Sequence, residues 1–229
     1  MDLQDVAALL RPEPLPLETG YERLSSGVLH VAVRTDMHDC TGEMFEWWFR
    51  WRCDTHKYIW WHPVDHVSSA WQGTLADDTH VGSEHLVTES FTGLSQQDLV
   101  VQFREPDEFF DRGEYSSARE DRWISCAVLG RVGFGHEPAR SETGAVLGGR
   151  LLHVGRDTPW GLALRSHFFL GQDLPGAGAT PDEVQAEVPT ELGVALLQHA
   201  YNEFTFLARF LPSLFTAEHR DERPPVVPW

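Results

Sequence analysis

The chain has 229 residues, 41% of them hydrophobic, which is enough for one sizeable domain core. Its formal charge of -17 argues against nucleic acid or an anionic membrane surface as the partner. Lys57 is the sole lysine, so Schiff-base chemistry would rest on one position. Cys40, Cys53 and Cys126 show no Cys-x2-Cys spacing, which fits a reducing cytoplasm and argues against a thiolate zinc site.

Residues 1–25 are rich in Pro and acid and read as an extended N-terminal arm. They carry Asp2, Asp5 and Glu13 and no apolar core of signal-peptide length. No run approaches the ~20 apolar residues that span a bilayer. Residues 27–34 alternate enough for a strand, and Thr41 is placed to cap a short helix with Met44, Phe45, Trp47, Trp48 and Trp51 on its apolar side. Six tryptophans (47, 48, 51, 60, 61 and 71) fall within residues 47–71, which predicts an aromatic-walled pocket or a large aromatic core. Strands are predicted over 80–91, 98–104, 123–132, 145–155 and 160–170, with polar loops at 107–122 and 133–144. Thr180-Pro-Asp-Glu183 is a capping box that opens a helical turn. A long helix then runs from Pro189 to just before Pro212, and residues 223–229 read as extended. There are no internal repeats, so the domain spans 26–215 with a tail at 216–229.

The long helix holds the sharpest signal. At about 100° per residue, His199 and Glu203 stack one above the other. The same face carries Val188, Leu192, Ala195, Leu196, Phe206, Leu207 and Phe210. An imidazole and a carboxylate aimed at a core need compensation, because an unpaired buried charge is costly. A metal ion is the simplest compensation; a plain buried His–Glu hydrogen bond or a wet cavity wall is the alternative. A curved antiparallel sheet followed by this helix predicts an α+β helix-grip fold, in which the helix closes the sheet and its inner face walls a cavity.

Two other stretches offer ligands. Tyr58-Ile-Trp-Trp-His62-Pro-Val-Asp65-His66 packs aromatics, two imidazoles and a carboxylate into nine residues. On the strand after His80, residues His85, Val87, Glu89 and Phe91 share one face, while Glu84, Leu86 and Thr88 share the other. The first face is the more apolar, so Glu89 is expected to point inward and Glu84 to meet solvent.

The run Met44-Phe-Glu-Trp47-Trp48-Phe49-x-Trp51, the motif Tyr58-x-x-Trp-His-Pro-x-Asp65-His66 and the ending His199-x3-Glu203-x3-Leu207-x2-Phe210-Leu211-Pro212 together resemble the 2,4-diacetylphloroglucinol hydrolase family, which includes phloretin hydrolase-type enzymes. The resemblance covers roughly residues 40–215. It implies a Bet v 1-like helix-grip domain and a zinc ion, or another divalent transition metal, held by His66, Glu89, His199 and Glu203. Ser69 departs from the family pattern, standing where an amide is expected.

The resemblance also implies hydrolysis of a carbon–carbon bond between an acyl group and a phenolic or polyketide ring, of retro-Claisen type. The ring tautomerises to a keto form, water adds to the acyl carbonyl, and the ring leaves as an enolate that is then protonated. Two carboxylate ligands blunt Lewis acidity, so a protein proton donor or base is needed. Tyr58 is the residue expected to orient or protonate a substrate oxygen, with an aromatic wall as its other reading. His153, sharing a strand face with Leu147 and Leu151, is the second group for proton transfer, with a structural histidine as its other reading; Arg165, His167 and His62 rank below it. Asp65 reads as a partner fixing an imidazole tautomer, or as a turn residue. Trp60, Trp61 and Trp71 are expected to stack on the substrate ring or to fill core. The expected partner is a small aromatic acyl phenol or polyketide, and a homodimer is compatible with the sequence. Rival readings on the same fold are a polyketide cyclase or isomerase, a small-molecule-binding protein, and a lipid binder without metal.

Overall fold

The computed structural model describes residues 1–91 and 94–222. Eight strands form one antiparallel sheet: β1 (Gly20–Arg23), β2 (Leu29–His38), β3 (His66–Gly73), β4 (Ser83–Glu89), β5 (Gln97–Phe103), β6 (Cys126–Phe134), β7 (Gly149–Thr158) and β8 (Gly161–Leu170), in the order β1-β2-β8-β7-β6-β5-β4-β3. Strands β3 to β8 form a meander, and the chain reaches its far edge from β2 through two short helices. These are α1 (Gly42–Trp51) and α2 (Thr55–Trp61). The remaining helices are α3 (Arg112–Glu120), α4 (Pro181–Glu187), α5 (Thr190–Ala208) and α6 (Leu211–Glu218). Helix α5 lies against the sheet, which makes this the expected α+β helix-grip. Gly193 lets it approach β2 closely: a Cβ there would meet Leu29 Cδ2 at 2.6 Å.

Side-chain polarity and caps explain most of these elements. Thr41 caps α1 by accepting from the Met44 N–H, and α1 ends at Arg52 in the left-handed region (φ 49°). Asp54 at once caps α2 through the Lys57 N–H, so the chain turns sharply between two aromatic-rich helices. The inner core joins Phe45, Trp48, Phe49, Trp61, Phe103, Phe204 and Leu207, all buried. A second core lies on the outer face of the sheet, where Leu129, Leu152 and Phe169 meet Val6, Leu9 and Leu10.

Several expectations need correction. The arm is not extended throughout: Leu3–Leu10 form a 3-10 helix that buries three aliphatic side chains. Leu9, 1% exposed, tests this packing. Leu9→Ala is expected to cost about 2–5 kcal/mol, read from the denaturant midpoint; a loss below about 0.5 kcal/mol, the size of a surface change, would place the segment outside the cooperative fold. The stretch 107–122 is not a loop, because Asp111 accepts from the Gly113 and Glu114 N–H groups and starts α3. Helix α2 and strand β3 were not expected at all. The long helix stops at Ala208, and Pro212 sits inside the first turn of α6, where its missing N–H costs nothing. Residues 223–229, read as extended, lie outside the described residues.

Candidate metal centre and cavity

The end of α2, strands β3 and β4, and the middle of α5 bring His66, Glu89, His199 and Glu203 together under the helix, each no more than 9% exposed. Ligand atoms of His66, Glu89 and His199 lie within 4.8 Å of one another. The His66 Nε2 is 3.9 Å from Glu89 Oε1 and 3.8 Å from Glu203 Oε2, and the His199 Nε2 is 3.6 Å from Glu89 Oε2.

Both imidazoles are aimed by bonds at their other nitrogen. The His66 Nδ1 meets the Tyr58 carbonyl at 2.9 Å, and a carbonyl only accepts, so Nδ1 carries the proton and Nε2 presents a lone pair. That Nε2 is buried without a hydrogen-bond partner. The His199 Nδ1 meets Asp65 Oδ2 at 3.1 Å, which is the tautomer-fixing contact expected of Asp65. His62 stacks on His199, with ring centroids 4.9 Å apart, and accepts the Asp65 backbone N–H at its Nδ1. His62, Asp65 and His199 also form a compact ligand-type group, sharing His199 with the first.

The electrostatics of the cluster favour a cation. Burial opposes charge on His199, yet Glu89, Asp65 and Glu203 raise it to about 9. Burial pushes Glu203 up to about 8, with His199 pulling the other way. Burial and the neighbouring His199 drive His66 well below its ordinary value. Burial thus makes it costly for Glu203 to carry its charge without a cation beside it. An unpartnered imidazole lone pair, a second oriented imidazole and two carboxylates match the donor set that zinc takes. The residues fit a divalent ion.

Tyr58 is buried, stacks on His66 with ring centroids 3.7 Å apart, and donates its hydroxyl to Glu89. Burial, then the Glu89 charge, holds its phenol well above the ordinary tyrosine range, so it stays protonated. Both Tyr58 and Trp61 line a cavity that also receives Glu89, His199 and Glu203. Its other walls are largely apolar, with Phe49, Phe91, Phe103 and Phe168 among them. His153 lines it too, with its Nδ1 2.8 Å from Ser166 Oγ. Burial pushes His153 down to about 3, so its ring is neutral.

Other expected residues fall elsewhere. Trp60 is 54% exposed, and Trp71 stacks on His85 at 4.0 Å; of the three tryptophans only Trp61 lines the cavity. His167 pairs with His30 across the outer face, and Arg165 binds Glu18. Glu84 does face away from the cavity, but it does not meet solvent. Arg140 and the Gln72 and Gln102 amides bond this buried carboxylate and lower its pKa. A residue that the sequence did not single out for chemistry is His85, which lines the cavity on the same strand face as Glu89; that alternation was the available signal.

A family model described as the DAPG hydrolase PhiG domain matches residues 1–216. A 2,4-diacetylphloroglucinol hydrolase from a Pseudomonas species is 26% identical over 233 residues, covering 93% of this chain and 76% of that protein. The phloretin hydrolase of Eubacterium ramulus is 26% identical over 216 residues, covering 88% of this chain and 72% of its own length. Among solved structures, Ara h 8.0201 is similar at 11% identity and a TM-score of 0.47, over 81% of this chain and 99% of that one.

Proposed function

We propose, since the chain belongs to the DAPG hydrolase family, that it hydrolyses the carbon–carbon bond joining an acyl group to a phenolic or polyketide ring. The metal would be zinc or a similar divalent ion, held by His66, Glu89, His199 and Glu203. The observation that carries this reading is the convergence of two oriented imidazoles and two buried carboxylates at the end of an apolar cavity. No helix among the described residues is long and apolar enough to cross a membrane.

When bound, such an ion supplies Lewis acidity for a carbonyl oxygen and lowers the pKa of water. The chain's own residues do the rest. Phe91 and Trp61 wall the space beside His199 and keep an aromatic ring out of water. Tyr58, still protonated, is placed to give its hydroxyl proton to a substrate oxygen and to take it back with Glu89 as its hydrogen-bond partner. His153 reaches the cavity as a neutral imidazole backed by Ser166, which suits a relay that returns a proton to the ring carbon. Bond cleavage needs the ring as its keto tautomer, so that the departing electron pair becomes an enolate and then a phenol.

Products made in isotope-labelled water are expected to carry the heavy oxygen in the released carboxylic acid, with one label per cleavage, as read by mass spectrometry. Formation of an isomer of the same mass, with no acid released, would transfer the protein to the cyclase class.

A further inference from the structure

We propose that His85 is a specificity-determining residue of this cavity: its Nδ1 accepts a hydrogen bond from a ring hydroxyl of the substrate, on the side away from the acyl group. The inference rests on the acyl-phenol reading above and names which members of that class fit. His85 is 3% exposed and lines the cavity between two fixed rings. Its imidazole stacks on Trp71 at 4.0 Å and meets the edge of Tyr58 at 5.1 Å.

The tautomer of His85 follows from its partner. The Ser69 hydroxyl lies 2.9 Å from the Cys53 carbonyl and 2.7 Å from His85 Nε2. A hydroxyl has one proton, and the carbonyl can only accept, so that proton goes to Cys53. Ser69 must therefore accept from His85, which places the ring proton on Nε2 and leaves a lone pair on Nδ1. No described residue bonds Nδ1, and it is not among the buried polar atoms sealed off without a partner. Burial alone takes His85 down to about 3, so it stays neutral and the lone pair stays available.

Position gives the rest. Residues 85, 87 and 89 form one row along the cavity face of β4, and four residues of strand span roughly 13 Å. The end of the row at Glu89 is the metal end, where the acyl carbonyl and its neighbouring hydroxyl are expected. His85 stands at the other end of that row, opposite Val101 in the β4–β5 register, in a cavity whose walls also include Phe49 and Phe103. An acceptor set in apolar walls favours a ligand with a donor there and penalises one without it, since the lone pair then loses water and gains nothing.

Two probes distinguish the outcomes: phloroacetophenone, with hydroxyls beside and opposite the acyl group, and ortho-hydroxyacetophenone, with only the hydroxyl beside it. Binding to the metal-loaded protein is read by quenching of tryptophan fluorescence, so the result does not depend on turnover. Wild type is expected to prefer phloroacetophenone by at least about tenfold. His85→Phe, which retains a ring against Trp71, should reduce that preference to within about twofold while leaving ortho-hydroxyacetophenone binding and metal content unchanged. His85→Gln, which restores an acceptor, should recover part of the preference. A wild-type protein that binds neither probe or does not separate them, a His85→Phe protein that keeps the preference, or one that weakens both probes equally, overturns the proposal. Acid release from either probe, measured in parallel, reports separately on the hydrolase reading.

Discussion

Tyr58→Phe is expected to lower turnover by at least about 100-fold while the protein keeps its metal and most of its substrate affinity. General acid–base assistance is typically worth about 10²–10⁴ in rate, or roughly 3–5 kcal/mol of barrier. The substitution keeps the ring that stacks on His66 at 3.7 Å and removes only the hydroxyl that donates to Glu89. Packing and ligand orientation should therefore survive: His66 is aimed by the Tyr58 backbone carbonyl, which the change does not touch. Steady-state kinetics with parallel elemental analysis checks this. A variant within about threefold of wild type, too small a loss for a proton-transfer group, returns Tyr58 to the role of aromatic wall. The same comparison would then pass to His153→Gln, which removes a cavity imidazole held on Ser166.

His199→Ala is expected to abolish metal retention. Even outer partners of metal ligands are worth about 10–100-fold in affinity, so loss of a ligand should exceed about 100-fold. His199 also organises its surroundings: it holds Asp65, stacks on His62 and faces Glu89. Glu203→Ala and Glu89→Ala should act in the same direction. Glu84→Gln is the control, because Glu84 lies on the opposite face of β4 in its own network with Arg140. Equilibrium dialysis against a metal buffer reads all four. If Glu84→Gln strips the ion and Glu89→Ala retains it, the assignment of faces on that strand is wrong.

Residues whose environment is set by a regular period were legible in the sequence. His199 and Glu203 declare themselves because a helix repeats every 3.6 residues and every other position on that face is apolar. Glu89 follows from strand alternation with Val87 and Phe91, and the same alternation places His85 beside the cavity. The stretch from Tyr58 to His66 is legible as a source of ligands, but the choice of His66 within it comes through the resemblance, since the stretch has no period to read. Helix α2 and strand β3 were missed for that reason: seven residues capped by Asp54 carry too little pattern before the Pro63 turn. Helix α3 is polar on most of its surface and buries only Ala118, so only the Asp111 cap marks it. Glu84 shows the other boundary of such reasoning. Alternation puts it on the face away from the cavity, but Arg140, 56 residues on, covers it, and no local pattern carries that contact. The outer-face cover by Val6, Leu9 and Leu10 is of the same kind.

The central claim is that these four side chains form a divalent metal centre. Elemental analysis of protein purified without added metal, repeated after chelation and re-addition of zinc, tests it most directly. About one ion per chain is expected, lost to the chelator and regained on zinc addition, because four ligand-type residues already converge in the folded chain. No stoichiometric metal at either stage would contradict it and leave His199 and Glu203 as a buried hydrogen-bonded pair in a cavity wall.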